Sequence, residues 1–161
     1  MIADMTVAAY WAALYLDAKR PGSFVYPASG ALGCGVPLAL GTAAAHPDRP
    51  TVAIVGDGGF LMGGHELLTA SAEGLAFVTL VINDSAYGIL RNYQETMFGR
   101  TVAVELNAPD FAGLASACGV RYIAADGIRG LTGALGEALG DRSGPVLVEL
   151  RAALKAPGLS V

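Results

Sequence analysis

Two stretches of this chain decide its fold: residues 51–59, which read TVAIVGDGG, and residues 77–88, which read FVTLVINDSAYG. Each begins with a short, apolar, β-branched run bounded by turn residues, and this pattern predicts two buried strands. Asp57 and Asp84 then lie just past the carboxyl ends of those strands, at the edge where ligands bind in open α/β sheets. Two carboxylates at that edge suit Mg²⁺ or Ca²⁺, and the adjacent glycines let a phosphate reach backbone N–H groups.

Helices and strands alternate along the rest of the chain. Apolar periodicity and cap residues predict helices over 6–19, 36–45, 66–73, 110–118 and 128–139, and a short helix or a turn over 87–97. Strands are expected at 23–26, 51–55, 77–82, 120–124 and 145–150. This order predicts one α/β domain over residues 1–161, with a doubly wound, mainly parallel sheet of about six strands and helices on both faces.

The composition limits the class of protein. The 161 residues are enough for one domain with a core; 53% are hydrophobic, 15% are charged and 22 are glycine. This is too apolar for a disordered chain and apolar for a lone soluble domain, which indicates a surface buried against another subunit. The net charge of -4, without a basic cluster, argues against nucleic acid as a partner. The apolar stretch 28–45 is interrupted by glycines and a proline, which argues against a membrane helix.

The sequence also predicts a cytoplasmic protein. Residues 1–20 carry Asp4 and Asp17 and lack the basic start of a signal peptide. Cys34 and Cys118 form neither a metal-binding spacing nor a disulfide framework, which is typical of a reducing compartment.

Each motif taken alone has a plainer interpretation. Gly-Asp-Gly is often only a tight turn, and Asn-Asp-Ser is a common turn in which the side chains bond to their own backbone. Tyr87, Tyr93 and Phe98 could equally line a pocket or belong to the core. Arg91 could meet a substrate carboxylate, although a solvent-exposed arginine is the favoured interpretation.

Four motifs in order carry a resemblance to a known family: residues 30–41 (GALGCGVPLALG), 55–62 (VGDGGFLM), 66–70 (ELLTA) and 82–88 (INDSAYG). Together they resemble the C-terminal, diphosphate-binding domain of thiamine diphosphate enzymes, in the branch of acetohydroxyacid synthase, benzoylformate decarboxylase and pyruvate oxidase. The resemblance continues through 107–111, 119–120 and 145–149, and so covers nearly the whole chain. It implies that the chain binds thiamine diphosphate and Mg²⁺.

The resemblance also implies a role for individual residues. Asp57 and Asp84 match the side-chain ligands of the metal, and Ala86 would add its backbone carbonyl. Leu32 matches the bulky apolar residue that props the cofactor in its bent, reactive form, which makes it the catalytic candidate on this chain. The other implied cofactor contacts are Thr6, Gly30, Ala31, Gly58, Gly59, Ala86, Tyr87 and Gly88.

One position departs from the family pattern. The family usually has two asparagines where this chain has Asn83 and Asp84. An aspartate oxygen still suits Mg²⁺, but a second carboxylate beside a diphosphate adds negative charge that the metal must offset.

The resemblance leaves half of the active site unaccounted for. In this family a glutamate on a separate pyrimidine-binding domain activates the cofactor, and no stretch here resembles that domain. The missing half is expected on another polypeptide or on a longer natural chain, and Met1 with a full set of elements favours a separate gene product. The expected assembly is a homodimer of this chain joined to two pyrimidine-domain subunits.

The expected function is therefore that of one subunit of a 2-oxo acid decarboxylase, or of an acyloin- or acetolactate-type synthase, acting on a small 2-oxo acid. The alternatives are an oxidase or dehydrogenase-like relative within the same class, a non-catalytic structural or regulatory subunit that keeps the fold, and a different phosphate binder that uses the same two aspartates.

Overall fold

A parallel sheet forms the centre of the molecule, which a computed structural model describes for residues 1–107 and 109–158. Within those residues the strands are β1 (Ile2–Ala3), β2 (Val52–Gly56), β3 (Val78–Asn83), β4 (Arg121–Ala125) and β5 (Val146–Arg151). All pairings are parallel, and the strand order is β1-β2-β3-β5-β4. The helices are α1 (Val7–Tyr15), α2 (Gly35–Ala45), α3 (Asp57–Gly63), α4 (Glu66–Ala72), α5 (Gly88–Phe98), α6 (Phe111–Ala117) and α7 (Gly127–Gly140).

The sheet is buried on both faces, which explains why its strands are almost continuously apolar. All six residues of β3 are buried, with no polar alternation. Val55, Val81 and Leu147 point to one face and pack against α2, α3, α4 and α6. Leu80, Ile82 and Val148 point to the other face, which α7 covers. The predicted doubly wound α/β architecture is confirmed.

The number of strands differs from the prediction of about six. The structure has five strands in its described residues, and the segment 23–26 is not one of them. Val25 instead forms an isolated parallel bridge with Ile2, in which Ala3 N–H donates to Val25 O at 2.9 Å. Because β1 is only two residues long, residues 23–26 have no further backbone groups of β1 with which to form a strand.

Two helices also differ from the prediction. α1 ends at Tyr15, four residues earlier than expected, and its last apolar side chains, Leu14 and Tyr15, are exposed rather than packed on the core. Apolar periodicity did not predict α3, because its seven residues include three glycines, which are poor helix formers; only the family resemblance implied a helix start at Gly58 and Gly59. Tertiary packing overrides that weakness: Phe60 of α3 meets Phe111 edge to face, with ring centroids 5.3 Å apart.

The strand order places the carboxyl ends of β1, β2 and β3 side by side. Each of these strands is followed directly by an aspartate: Asp4, Asp57 and Asp84 respectively. Parallel neighbours end at the same edge of a sheet, so this edge is where the candidate site forms. Among the helices of the described residues, none is both long and apolar enough to cross a membrane.

Candidate functional site

Asp57 begins α3 directly after β2, and its carboxylate is almost completely buried. One oxygen, Oδ1, accepts the Gly58 N–H at 3.0 Å. The other, Oδ2, is buried and has no hydrogen-bond partner among the residues that the structure describes. Burial raises the pKa of Asp57; the Gly58 N–H opposes this, and the negative charge of Asp84 adds to it. A cation beside Oδ2 would supply the missing partner, since a buried polar atom without one is costly.

Asp84 follows β3 and faces a cation from α5. The Asp84 Oδ2 atom lies 3.8 Å from Arg91 Nη1, and Arg91 Nη2 donates to the Asp84 carbonyl at 3.3 Å. Burial raises the pKa of Asp84, whereas the Arg91 charge lowers it. The favoured interpretation of Arg91 as a solvent-exposed residue is wrong, because its side chain is only 23% exposed.

Gly88 makes room for the Asp84 carboxylate. A Cβ atom on Gly88 would lie 2.5 Å from Asp84 Oδ2, a distance that no side chain tolerates. The first residue of α5 must therefore be small for the carboxylate to occupy its present place.

The loop after β3 is fixed from outside by residues 104–106. Ala86 pairs with Glu105 in an antiparallel bridge, flanked by hydrogen bonds from Tyr87 N–H to Val104 O and from Leu106 N–H to Ser85 O, both 2.8 Å. These bonds use the neighbours of Ala86, so Ala86 and Glu105 form a non-hydrogen-bonded pair. The carbonyl of Ala86 consequently points away from residues 104–106, as a backbone metal ligand requires.

Asp4 holds the glycine-rich loop that precedes α2. Its buried carboxylate accepts the Gly33 N–H through Oδ2 and the Met5 N–H through Oδ1, each at 2.8 Å. Gly33 has a positive φ of 85°, and its carbonyl lies 2.1 Å from where a Cβ on Gly63 would be. Gly33, Gly63 and Asp4 thus allow this loop, which carries Leu32, to pack closely against α3.

These elements surround one cavity of about 280 Å³. It is lined by ten residues predicted from the sequence as metal or cofactor contacts: Thr6, Gly30, Leu32, Asp57, Gly58, Gly59, Asp84, Ala86, Tyr87 and Gly88. Ala31, also predicted, is exposed and does not line the cavity. Of the three aromatic residues left open, Tyr87 and Tyr93 line it, whereas Phe98 is exposed.

The donor set fits a Mg²⁺ ion that is bound together with a diphosphate. Mg²⁺ typically takes one or two carboxylates and completes its shell with water and phosphate oxygens. Asp57 and Asp84 supply two carboxylates to this cavity. Within residues 1–107 and 109–158 there is no cluster of three or more His, Cys, Asp or Glu side chains that could hold a metal without further ligands from backbone, water or phosphate. Gly58 lets the Tyr87 ring lie against the start of α3, because a Cβ on Gly58 would meet Tyr87 Cε1 at 2.5 Å.

Asp4 is a site residue that was not predicted from the sequence. It stood out there only as a charge near the amino terminus, since a strand of two residues gives almost no periodic signal. The available signal was its pattern: Asp4 follows Ile2–Ala3 in the same way that Asp57 and Asp84 follow β2 and β3.

Comparison with known proteins agrees with this geometry. Residues 4–150 match the family model described as the thiamine pyrophosphate enzyme, C-terminal TPP binding domain. The benzoylformate decarboxylase of Pseudomonas aeruginosa is 33% identical over 147 residues, which cover 90% of this chain and 27% of that enzyme. The acetolactate synthase large subunit of Lactococcus lactis is 30% identical over 129 residues, 78% of this chain and 22% of that subunit.

A solved structure shows the same fold. The thiamine diphosphate-dependent 4-hydroxybenzoylformate decarboxylase of Rhodococcus jostii superposes with a TM-score of 0.84 at 30% identity, over 98% of this chain and 30% of that one. The chain thus spans between a fifth and a third of the length of these relatives. The match over residues 4–150 shows that the chain belongs to the thiamine pyrophosphate enzymes, within the family of their C-terminal cofactor-binding domain.

Proposed function

We propose that this chain binds thiamine diphosphate with Mg²⁺ and serves a 2-oxo acid decarboxylase or an acyloin- or acetolactate-type synthase. The observation that carries the proposal is the orphaned Asp57 Oδ2, buried at a cavity that Asp84 and five glycines also line. In this proposal Asp57, Asp84 and the Ala86 carbonyl hold the metal. Backbone groups of Gly58, Gly59, Tyr87 and Gly88, with Thr6, contact the diphosphate.

The remaining lining residues shape the cavity around the reactive part of the cofactor. When bound, thiamine diphosphate supplies a nucleophilic carbon and stabilises the negative charge that decarboxylation leaves. Leu32 would prop the bent cofactor, and Gly30 would meet its pyrimidine ring. Tyr10, Leu90 and Leu154 line the cavity as well, and these mainly apolar side chains would exclude water from the reacting atoms.

We further propose that a pyrimidine-domain subunit completes the active site, and that the chain itself dimerises. Support comes from apolar side chains that remain exposed on three consecutive helices beside the glycine-rich loop: Leu38 on α2, Leu61 and Met62 on α3, and Leu68 on α4. Exposed apolar side chains in such numbers are typical of a protein interface. The free cysteines, Cys34 and Cys118, favour a cytoplasmic location.

The partner proposal predicts that the purified 161-residue chain is inactive by itself. The glutamate that it lacks performs proton transfer, a contribution typically worth about 10²–10⁴-fold in rate. Release of CO₂ from pyruvate and from benzoylformate, with saturating thiamine diphosphate and Mg²⁺, should therefore stay at background for the chain alone. It should rise by about 10²–10⁴-fold when a pyrimidine-domain subunit from the same source is added.

Two controls separate the outcomes of this experiment. The same mixture made with Asp57→Asn should stay inactive, since the metal ligand set is broken. A stable complex that binds the cofactor without turnover would support the alternative, a non-catalytic subunit. Rapid turnover by the chain alone would contradict the partner proposal.

A second prediction concerns the unusual charge at Asp84. Asp84→Asn removes one negative charge beside the diphosphate and keeps an oxygen ligand, so the affinity for thiamine diphosphate in the presence of Mg²⁺ should stay equal or increase. Arg91→Met should lower that affinity by about tenfold, an effect between those typical of exposed and of buried ion pairs. In the Asp84→Asn background the same Arg91→Met change should cost about threefold or less, because no carboxylate is left to neutralise.

Calorimetric titration of the cofactor into the four proteins of this cycle gives the coupling between the two residues. An equal loss on removing Arg91 in both backgrounds would mean that Arg91 only anchors α5 to the loop backbone, and that it does not offset the Asp84 charge.

A further inference from the structure

A second buried carboxylate lies outside the cavity, and the proposed function does not use it. Glu149 is near the end of β5, the strand that separates β3 from β4, and is 2% exposed. Three side chains donate hydrogen bonds to it: Asn83 Nδ2 at 2.7 Å, Arg151 Nε at 2.9 Å and the Tyr122 hydroxyl at 2.5 Å. Glu149 therefore links a side chain of β3 with one of β4.

The hydrogen bonds keep this group anionic. Burial alone would raise the pKa of Glu149, but the bonds from Tyr122, Asn83 and Arg151 outweigh it and hold the pKa below its ordinary value. Burial and the bond to Glu149 raise the pKa of Tyr122 to about 12, so the tyrosine remains a donor. An ionised carboxylate accepts hydrogen bonds and donates none, which dictates how each partner is oriented.

Asn83 passes this orientation on to the metal-binding loop. Because Glu149 only accepts, the amide of Asn83 must turn its nitrogen toward Glu149 and its oxygen toward the loop. That oxygen, Oδ1, accepts the Ser85 N–H at 3.1 Å. Ser85 has a φ of 54°, in the left-handed region that a serine adopts only where surrounding contacts stabilise it.

Ser85 lies between the two proposed metal ligands of this loop, Asp84 and Ala86. We propose that Glu149 is a positioning residue of the metal site: acting through Asn83, it holds Ser85 in its left-handed conformation and thereby sets the places of Asp84 and Ala86. The role toward a metal rests on the proposed function, whereas the ordering of the loop does not.

A purely structural role for Glu149, as a link between strands, predicts a different set of effects. Tyr122→Phe is the matched control, because it removes one hydrogen bond from Glu149 on the side away from Asn83 and leaves the Asn83–Ser85 contact intact. If Glu149 acts only through strand packing, Glu149→Met and Tyr122→Phe should affect the loop in the same way.

The first measurement is amide hydrogen exchange by NMR on the full 161-residue chain, which needs no ligand. In Glu149→Met the Ser85 amide should exchange at least tenfold faster than in the unmodified chain. In Tyr122→Phe the Val81 amide of β3 should exchange faster, as in any destabilised variant, while the Ser85 amide stays unchanged. Unchanged Ser85 exchange in Glu149→Met would overturn the proposal.

The second measurement is the Mg²⁺ affinity, from titration of MgCl₂ in the presence of thiamine diphosphate. Glu149→Met should weaken it by at least tenfold, and Tyr122→Phe should change it by less than threefold. Glu149→Gln should retain most of the affinity, because its oxygen can face Asn83 and Arg151 while its amide donates to the Tyr122 hydroxyl. Equal losses in Glu149→Met and Tyr122→Phe would refute the positioning role.

Asn83→Ala sets the scale of the effect, because it removes the Ser85 acceptor itself and leaves Glu149 bonded to Tyr122 and Arg151. Glu149→Met should accelerate Ser85 exchange to the same degree. If Glu149→Met does not fold, Glu149→Leu takes its place, since it also removes every acceptor from Asn83. Failure of the unmodified chain to bind thiamine diphosphate and Mg²⁺ would count against the proposed function only, since Ser85 exchange still decides the inference.

Discussion

Replacing Asp57 with alanine is expected to weaken the binding of thiamine diphosphate in the presence of Mg²⁺ by at least about 100-fold, or about 2.7 kcal/mol. Asp57 is the more deeply buried of the two proposed carboxylate ligands, and its Oδ2 has no other partner in the described residues. Without it the ion keeps a single protein carboxylate, and the ion is what links the protein to the diphosphate.

The same substitution should have little effect on stability. The unfolding free energy of Asp57→Ala should change by less than about 1 kcal/mol, because the lost hydrogen bond to Gly58 is offset by removal of a buried, unpartnered oxygen. Calorimetric titration and urea unfolding of the same preparation measure the two quantities. Asp57→Asn, which keeps the shape and removes the charge, is the companion variant. Retained affinity in both variants would rule Asp57 out as a metal ligand.

Asp4→Ala should show the opposite pattern, with a stability loss of about 3 kcal/mol. The substitution deprives three N–H groups, those of Met5, Gly33 and Gly35, of a buried acceptor, and each group left unsatisfied costs about 1–3 kcal/mol. The glycine-rich loop should then loosen, so cofactor affinity should fall as well. The stability loss of Asp4→Asn should be smaller than that of Asp4→Ala but measurable, because the single amide oxygen of asparagine can replace only one of the two carboxylate oxygens.

Urea unfolding followed by circular dichroism measures this loss, and Asp126→Ala is its control. Asp126 also follows a strand directly, β4, but it is exposed and its side chain caps no N–H group of α7. Its removal should change the unfolding free energy by less than about 0.5 kcal/mol. A loss for Asp4→Ala as small as for Asp126→Ala would show that the Gly33 contact contributes little.

The sequence was most informative where local pattern and tertiary environment agree. β2 and β3 were predicted because strands buried on both faces of a parallel sheet must be apolar throughout, and that signal is local. Local periodicity did not predict the glycine-rich α3, since its stability comes from packing of Phe60 on Phe111, a residue 51 positions further along the chain. β1 escaped notice because two residues cannot show a period.

The residues of the candidate site likewise fall into those that local sequence predicts and those that depend on tertiary contacts. Asp57 and Asp84 are recognisable because each follows a strong strand signal within its own motif. The environment of Arg91 depends on how α5 packs against the loop, and the role of Glu149 depends on β5 lying beside β3, 66 residues away in sequence from its partner Asn83. Local patterns do not contain such pairings, so the second layer of contacts around the site becomes visible only in the fold.

The register of β2 and β3 has a consequence for how this scaffold can change. Gly56 pairs with Ile82, so the segments that carry Asp57 and Asp84 leave the sheet from adjoining strands, which parallel pairing holds about 4.8 Å apart. The separation of the two strand ends is therefore set by backbone hydrogen bonding, a dimension that changes at the exposed end of α5, at Met97 and Phe98, or in the exposed residues 99–103 leave untouched. If the two aspartates anchor the cofactor as proposed, those exposed segments can vary in length and chemistry while the anchor stays constant, so substrate preference and cofactor use can change independently in one small domain.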